Sequence, residues 1–87
     1  MWVRHLPDVD PGEARVGYAI GRRVGGAVVR NRLRRRVRAV LAELDRTDQI
    51  PPGAYLVGAE PEAVQMTFAE LRDSLHRAIG QLREESR

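Results

Sequence analysis

Residues 30–38 read Arg-Asn-Arg-Leu-Arg-Arg-Arg-Val-Arg, and this run limits what the chain can fold into more than any other. Its guanidinium groups cannot be buried without partners, yet Leu33 and Val37 need cover from water. Val40, Leu41 and Leu44 continue the apolar series at spacings of i, i+4, i+7, i+8 and i+11. At about 100° per residue these five positions form one stripe, which only a helix can bury together. The pattern predicts a helix from about residue 27 to residue 44 or 46, entered through the Gly25-Gly26 pair. On the same wheel Asn31, Arg34, Arg35 and Arg38 form an arc beside the stripe, and Arg32 and Arg36 flank it on the other side.

The charge on this helix is one-sided. Residues 22–38 contain eight arginines and no acidic residue, so a chain of net charge +3 carries +8 here and −5 elsewhere. A solvated helix face normally mixes signs for i,i+4 pairing, whereas this block meets its first carboxylate at Glu43. The local field is that of a polyanion-binding surface. All fifteen basic residues are arginine, whose planar fork binds phosphate bidentately. Phosphate neutralisation serves DNA and RNA alike. Asn31 either reads a base edge or a sugar hydroxyl, or closes a local polar contact. A basic leucine zipper is excluded, because the apolar spacing lasts barely two turns beyond Val37 before Pro51.

The remaining chain supplies a small sheet and a second helix. Residues 2–6 alternate as a short strand stopped by Pro7, and residues 8–12 read as a turn. From Arg15 a second strand places Val16, Tyr18 and Ile20 on one face and Gly17, Ala19 and Gly21 on the other. Residues 54–59 are almost continuously apolar, which suits an interior strand. Thr67 and Glu70 make a capping box, with a staple expected between Met66 and Leu71. Phe68, Leu71, Leu75, Ile79 and Leu82 form the stripe of the helix that follows. The expected class is α+β: a sheet of about three strands with two helices packed on it. The strand-helix-strand unit over residues 15–59 crosses over right-handedly by the general rule for parallel neighbours.

Eighty-seven residues make one domain, residues 1–87, with one modest core. No cysteine is present, so disulfides and thiolate metal sites are excluded. No apolar run approaches a membrane span and no signal pattern opens the chain, which makes a cytoplasmic location the expectation. Gly21 and Gly26 have the outer spacing of a phosphate loop, but Ala27-Val28 stands where Lys and Ser or Thr are required. The glycine pair can still bring a helix N-terminus near a phosphate beside Arg22 and Arg23, or serve as a plain turn. His5 and His76 stand alone, and Glu60 and Glu62 are loop carboxylates, so no metal site and no protein active site is expected. Trp2 is a candidate for stacking on a base, while Tyr18 shares the core face of its strand.

The run RVGYAIGRRVGGAVVRNRLRRRVRAVLAEL resembles the protein subunit of bacterial ribonuclease P. The likeness rests on Arg30-Asn31-Arg32 followed by Arg34, Arg35 and Arg38, on the basic pair Arg22-Arg23, and on the strand and helix around them. It covers about residues 15–82. The resemblance implies a ribosomal-protein-like α+β sandwich whose strand-helix-strand crossover is left-handed, against the general rule. It implies an RNA-binding cofactor for 5′ maturation of precursor transfer RNA, with ribonuclease P RNA and precursor transfer RNA as partners and no membrane. Arg22, Arg23, Arg30, Asn31, Arg32, Arg34, Arg35 and Arg38 would meet the RNA, and a separate cleft on the sheet would hold the 5′ leader, with Trp2 as a stacking candidate. Hydrolysis would come from Mg²⁺ held by the RNA subunit, with no cofactor bound by the protein itself. Members of the family begin with a helix and a strand ahead of the region where this chain starts, so the chain is expected to open at the family's second strand. A missing edge strand would expose backbone donors and acceptors at the sheet edge, so dimerisation or aggregation through that edge is the expectation. Gly26 stands where an asparagine cap is common, and Ala39 where a polar residue is usual. The alternative reading is a ribosomal or other structured-RNA-binding module with no role in cleavage; a DNA-binding basic helix is a third.

Overall fold

The computed structural model describes residues 1–6, 14–47 and 49–85. Strand β1 is Trp2–Leu6, β2 is Ala14–Ala19, helix α1 is Ala27–Arg46, β3 is Gly53–Gly58, a 3-10 turn spans Pro61–Gln65, and helix α2 is Phe68–Glu85. The turn expected over residues 8–12 lies outside the described residues. The sheet order is β1-β3-β2, with β1 antiparallel and β2 parallel to β3. Thus the most apolar strand takes the central position, as its composition requires.

The register sorts the two sheet faces, because directly paired residues point the same way. Val3, Val57 and Tyr18 lie in one row, and His5, Tyr55 and Val16 in the next. This face meets the helices: Tyr55 and Val57 join one core with Leu33, Val37, Val40, Leu41 and Leu44 of α1 and with Leu71, Leu75 and Ile79 of α2. The stripe predicted for α1 is its full set of buried residues. The other rows hold Trp2, Gly58 and Ala19, then Arg4, Leu56 and Gly17, then Leu6, Ala54 and Arg15. Trp2 lies on Gly58, where an added Cβ would fall 1.9 Å from the indole. Arg4, Leu6, Arg15, Gly17 and Ala19 of this outer face are exposed.

Local signals define the helix ends. Gly25, at φ +154°, turns the chain into α1, and a Cβ there would sit 2.8 Å from Val29. Gly26 is the N-cap and contributes no side-chain bond. At α2 the capping box forms: Thr67 N donates to Glu70 Oε1 at 3.0 Å and Glu70 N donates to Thr67 Oγ1 at 3.1 Å. One expectation fails here. Phe68 is 38 % exposed rather than buried, while Ala63 of the 3-10 turn, at 1 %, lies in the core and Met66 packs partly buried against it.

Leu75 is fully buried, so Leu75→Ala is expected to lower the unfolding free energy by about 2–5 kcal/mol in urea denaturation. The bond from the Thr67 backbone, followed by that from its side chain, holds the Glu70 carboxyl below its usual range. A carboxyl depressed in the folded state stabilises it above the unfolded pKa, and that contribution is lost as pH falls through the folded pKa. Glu70→Gln is therefore expected to flatten the acid limb of the stability profile, measured as urea midpoint against pH.

Candidate nucleic-acid interface

The basic block divides into parts with different surroundings. Arg22 and Arg23 are exposed on a turn closed by Val24 N donating to Gly21 O at 3.1 Å and Gly25 N donating to Arg22 O at 3.2 Å. Ile20 and Val24, at 4 % and 9 % exposure, anchor that turn in the core and leave the two guanidiniums outside. The turn delivers the chain to the start of α1, where no acidic residue occupies the first turn. Backbone N–H groups at a helix start carry partial positive charge, so the two arginines and the helix end add their fields.

The arc predicted beside the stripe is present. Asn31, Arg35 and Arg38 are exposed and Arg34 is half-buried. Arg34 Nη1 donates to Asn31 Oδ1 at 2.7 Å, so Asn31 makes the local polar contact that its position left open. Arg38 Cζ lies 5.4 Å from the centroid of the Tyr18 ring. Tyr18 is half-buried at the edge of the core, and its role beside Arg38 had no signal in the sequence, because β2 and α1 meet only in three dimensions.

Arg32 is exposed on the other flank of α1. Its neighbour Arg36 faces inward instead: Arg36 Nη2 donates to Met66 O at 2.6 Å and ties α1 to the segment before α2. Arg30 is half-buried, and its Nε is buried without a hydrogen-bond partner among the described residues. None of the eight arginines lies within 4.0 Å of a carboxylate among the described residues. Pairing does occur elsewhere, where Arg72 Nη1 stands 3.4 Å from Glu43 Oε1 and joins the two helices. Among the described residues, the positive field of the block is therefore left without a paired counter-charge.

Trp2 is not brought to this surface. It lies on the outer sheet face, across the sheet from α1, with Arg4 Cζ 5.4 Å from its ring centroid. His5 stacks obliquely on Tyr55, with ring centroids 5.3 Å apart. No group of three His, Cys, Asp or Glu residues that could hold a metal ion occurs among the described residues.

Comparison with known proteins places these features in context. The sequence model of the Ribonuclease P family matches residues 2–83. A Ribonuclease P protein component of Beutenbergia cavernae is 47 % identical over 70 residues, covering 79 % of this chain and 58 % of that protein. One from Acidothermus cellulolyticus is 43 % identical over 76 residues, covering 86 % and 62 %, and one from Thermus scotoductus is 46 % identical over 67 residues, covering 77 % and 39 %. The chain thus spans less than two thirds of the length of these relatives. Among solved structures, the RNase P protein of Staphylococcus aureus superimposes with a TM-score of 0.66 at 24 % identity, over 80 % of this chain and 62 % of that one; this likeness concerns the fold.

The different surroundings of the arginines predict different costs. Arg36→Ala removes a charge-assisted bond and leaves Met66 O without its donor, an expected loss of about 1–2 kcal/mol in urea denaturation. Arg35→Ala, on the exposed arc, is expected to change stability by less than about 0.5 kcal/mol.

Proposed function

The chain belongs to the Ribonuclease P family, and we propose that it acts as the RNA-binding protein component of that ribonucleoprotein in 5′ maturation of precursor transfer RNA. The observation that carries this reading is the uncompensated positive charge around α1. Arg30, Arg32, Arg34, Arg35 and Arg38, with Arg22 and Arg23 on the turn before it, stand without a carboxylate among the described residues. A phosphate backbone entering this field releases its condensed counterions, which makes binding strong at low salt.

Cleavage belongs to the RNA, whose bound Mg²⁺ supplies the hydrolytic chemistry. The protein's share is electrostatic. By placing fixed positive charge against folded RNA, the arginines lower the concentration of divalent ion needed to hold the complex together. The outer sheet face suits a single-stranded leader: Arg4 and Arg15 are exposed there, and Arg4 lies over Trp2. Unpaired bases stack on aromatic rings and on guanidinium planes, so Trp2 and Arg4 together form the stacking platform in this reading.

The test is cleavage of precursor transfer RNA by ribonuclease P RNA at low Mg²⁺, with and without the protein. Stimulation is expected. RNA binding without stimulation at any protein concentration would instead make the chain a structured-RNA-binding module with no role in cleavage. In a binding titration, replacing Arg34 and Arg38 together with Ala is expected to weaken affinity and to lower the slope of log K against log salt by about two. An unchanged slope would mean that phosphates are met by other arginines.

A further inference from the structure

Two uncharged side chains hold the heads of the arginine arc, and we propose that Tyr18 and Asn31 are positioning residues that set Arg38 and Arg34 as a preorganised pair for RNA phosphates; this rests on the RNA-binding reading above. Arg34 and Arg38 are one helical turn apart on α1, about 6 Å of rise. Like charges at i,i+4 repel, and arginine side chains are rich in rotamers that must be frozen on binding. Left alone, the two heads would spread into solvent.

A carboxylate partner would hold them but cancel the charge that the phosphates need. The partners present are neutral. Asn31 Oδ1 accepts one bond from Arg34 Nη1 at 2.7 Å, leaving four of the five guanidinium N–H donors free. Arg38 sits over the Tyr18 ring with Cζ 5.4 Å from the centroid, inside the range of cation–π attraction. A ring contact uses none of the N–H donors, so the fork stays free for bidentate phosphate binding. Tyr18 is itself fixed: it pairs in register with Val57, which is fully buried, and packs against the core. The platform is therefore part of the sheet, and the position of Arg38 is tied to the fold rather than to the helix surface alone.

The test is a double-mutant cycle on the 87-residue chain, with binding to ribonuclease P RNA and to an unrelated structured RNA of equal length followed as a function of salt. Tyr18→Leu is expected to weaken binding about two- to fivefold without changing the salt slope, because Arg38 still meets its phosphate but is no longer held. Arg38→Ala is expected to lower the slope by about one, and adding Tyr18→Leu to it should weaken binding no further. Tyr18→Phe, which keeps the ring, should restore the parent affinity to within about twofold. Asn31→Ala and Arg34→Ala are expected to show the same dependence on each other. Thermal unfolding of each variant separates these losses from instability. The proposal is overturned if Tyr18→Phe loses as much as Tyr18→Leu, or if the Tyr18→Leu loss persists in the Arg38→Ala background. Equal binding to both RNAs would sink the ribonuclease P reading but leave the coupling measurable, since phosphate contacts are independent of sequence. No binding to either RNA would overturn both.

Discussion

The burial of Leu33, Val37, Val40, Leu41 and Leu44 fixes the rotation of α1 about its own axis, and the surface this chain presents follows from that rotation. A shift of one residue, about 100°, would carry Arg34 and Arg38 into the core, where an unpaired guanidinium costs several kcal/mol. The same shift would expose Val37 and Val40, both fully buried. Because both penalties act in the same direction, the arc of Asn31, Arg34, Arg35 and Arg38 has one available orientation. Arg36, at the border of that pattern, is held inward by the Met66 carbonyl and reinforces the choice.

The two helices are stabilised in different ways. α2 has a complete capping box, an acidic residue in its first turn and an ion pair to α1 through Arg72 and Glu43. α1 has none of the local aids at its start: Gly26 makes no side-chain cap and no acidic residue balances the helix dipole. Its first turns also carry Arg30 and Arg32 near the positive end of that dipole. The helix therefore depends on tertiary burial against the sheet and α2. A carboxylate in the first turn would strengthen the helix and would also occupy the field in which the proposed phosphates bind, so stability and binding set opposite requirements at this end.

Much of this was legible because periodicity reports burial directly. The stripe of α1, the alternation of Val16 and Tyr18, the interior character of β3 and the Thr67–Glu70 box each follow from local spacing. The resemblance carried by Arg30-Asn31-Arg32 led to the family that the comparisons identify. What spacing could not reveal depends on contacts between distant segments. Phe68 fits the stripe of α2 by spacing, yet it is 38 % exposed while Ala63, which no periodicity marked, is buried at 1 %. Arg36 fits a solvent face, but a carbonyl thirty residues away takes its bond. Tyr18 reads as core, and its edge position under Arg38 emerges only when β2 is placed beside β3. For the proposed interface the residue list was readable from charge, whereas the partners that orient each guanidinium were not.

The sheet carries two surfaces that its register keeps apart. Tyr18 and Val57 share one row toward the helices, and the adjacent row, Ala19, Gly58 and Trp2, points the other way. β2 thus supports Arg38 with Tyr18 and contributes its next residue, Ala19, to the outer face. Gly58 is the point where this economy is tightest, since it lies next to buried Val57 and beneath the Trp2 ring. Any side chain there would lift Trp2 and with it Arg4, while Val57 and Tyr18 keep their places on the opposite face. In the proposed reading, the helix face and the outer face can therefore engage different RNA segments and be altered separately, although the same three strands hold both.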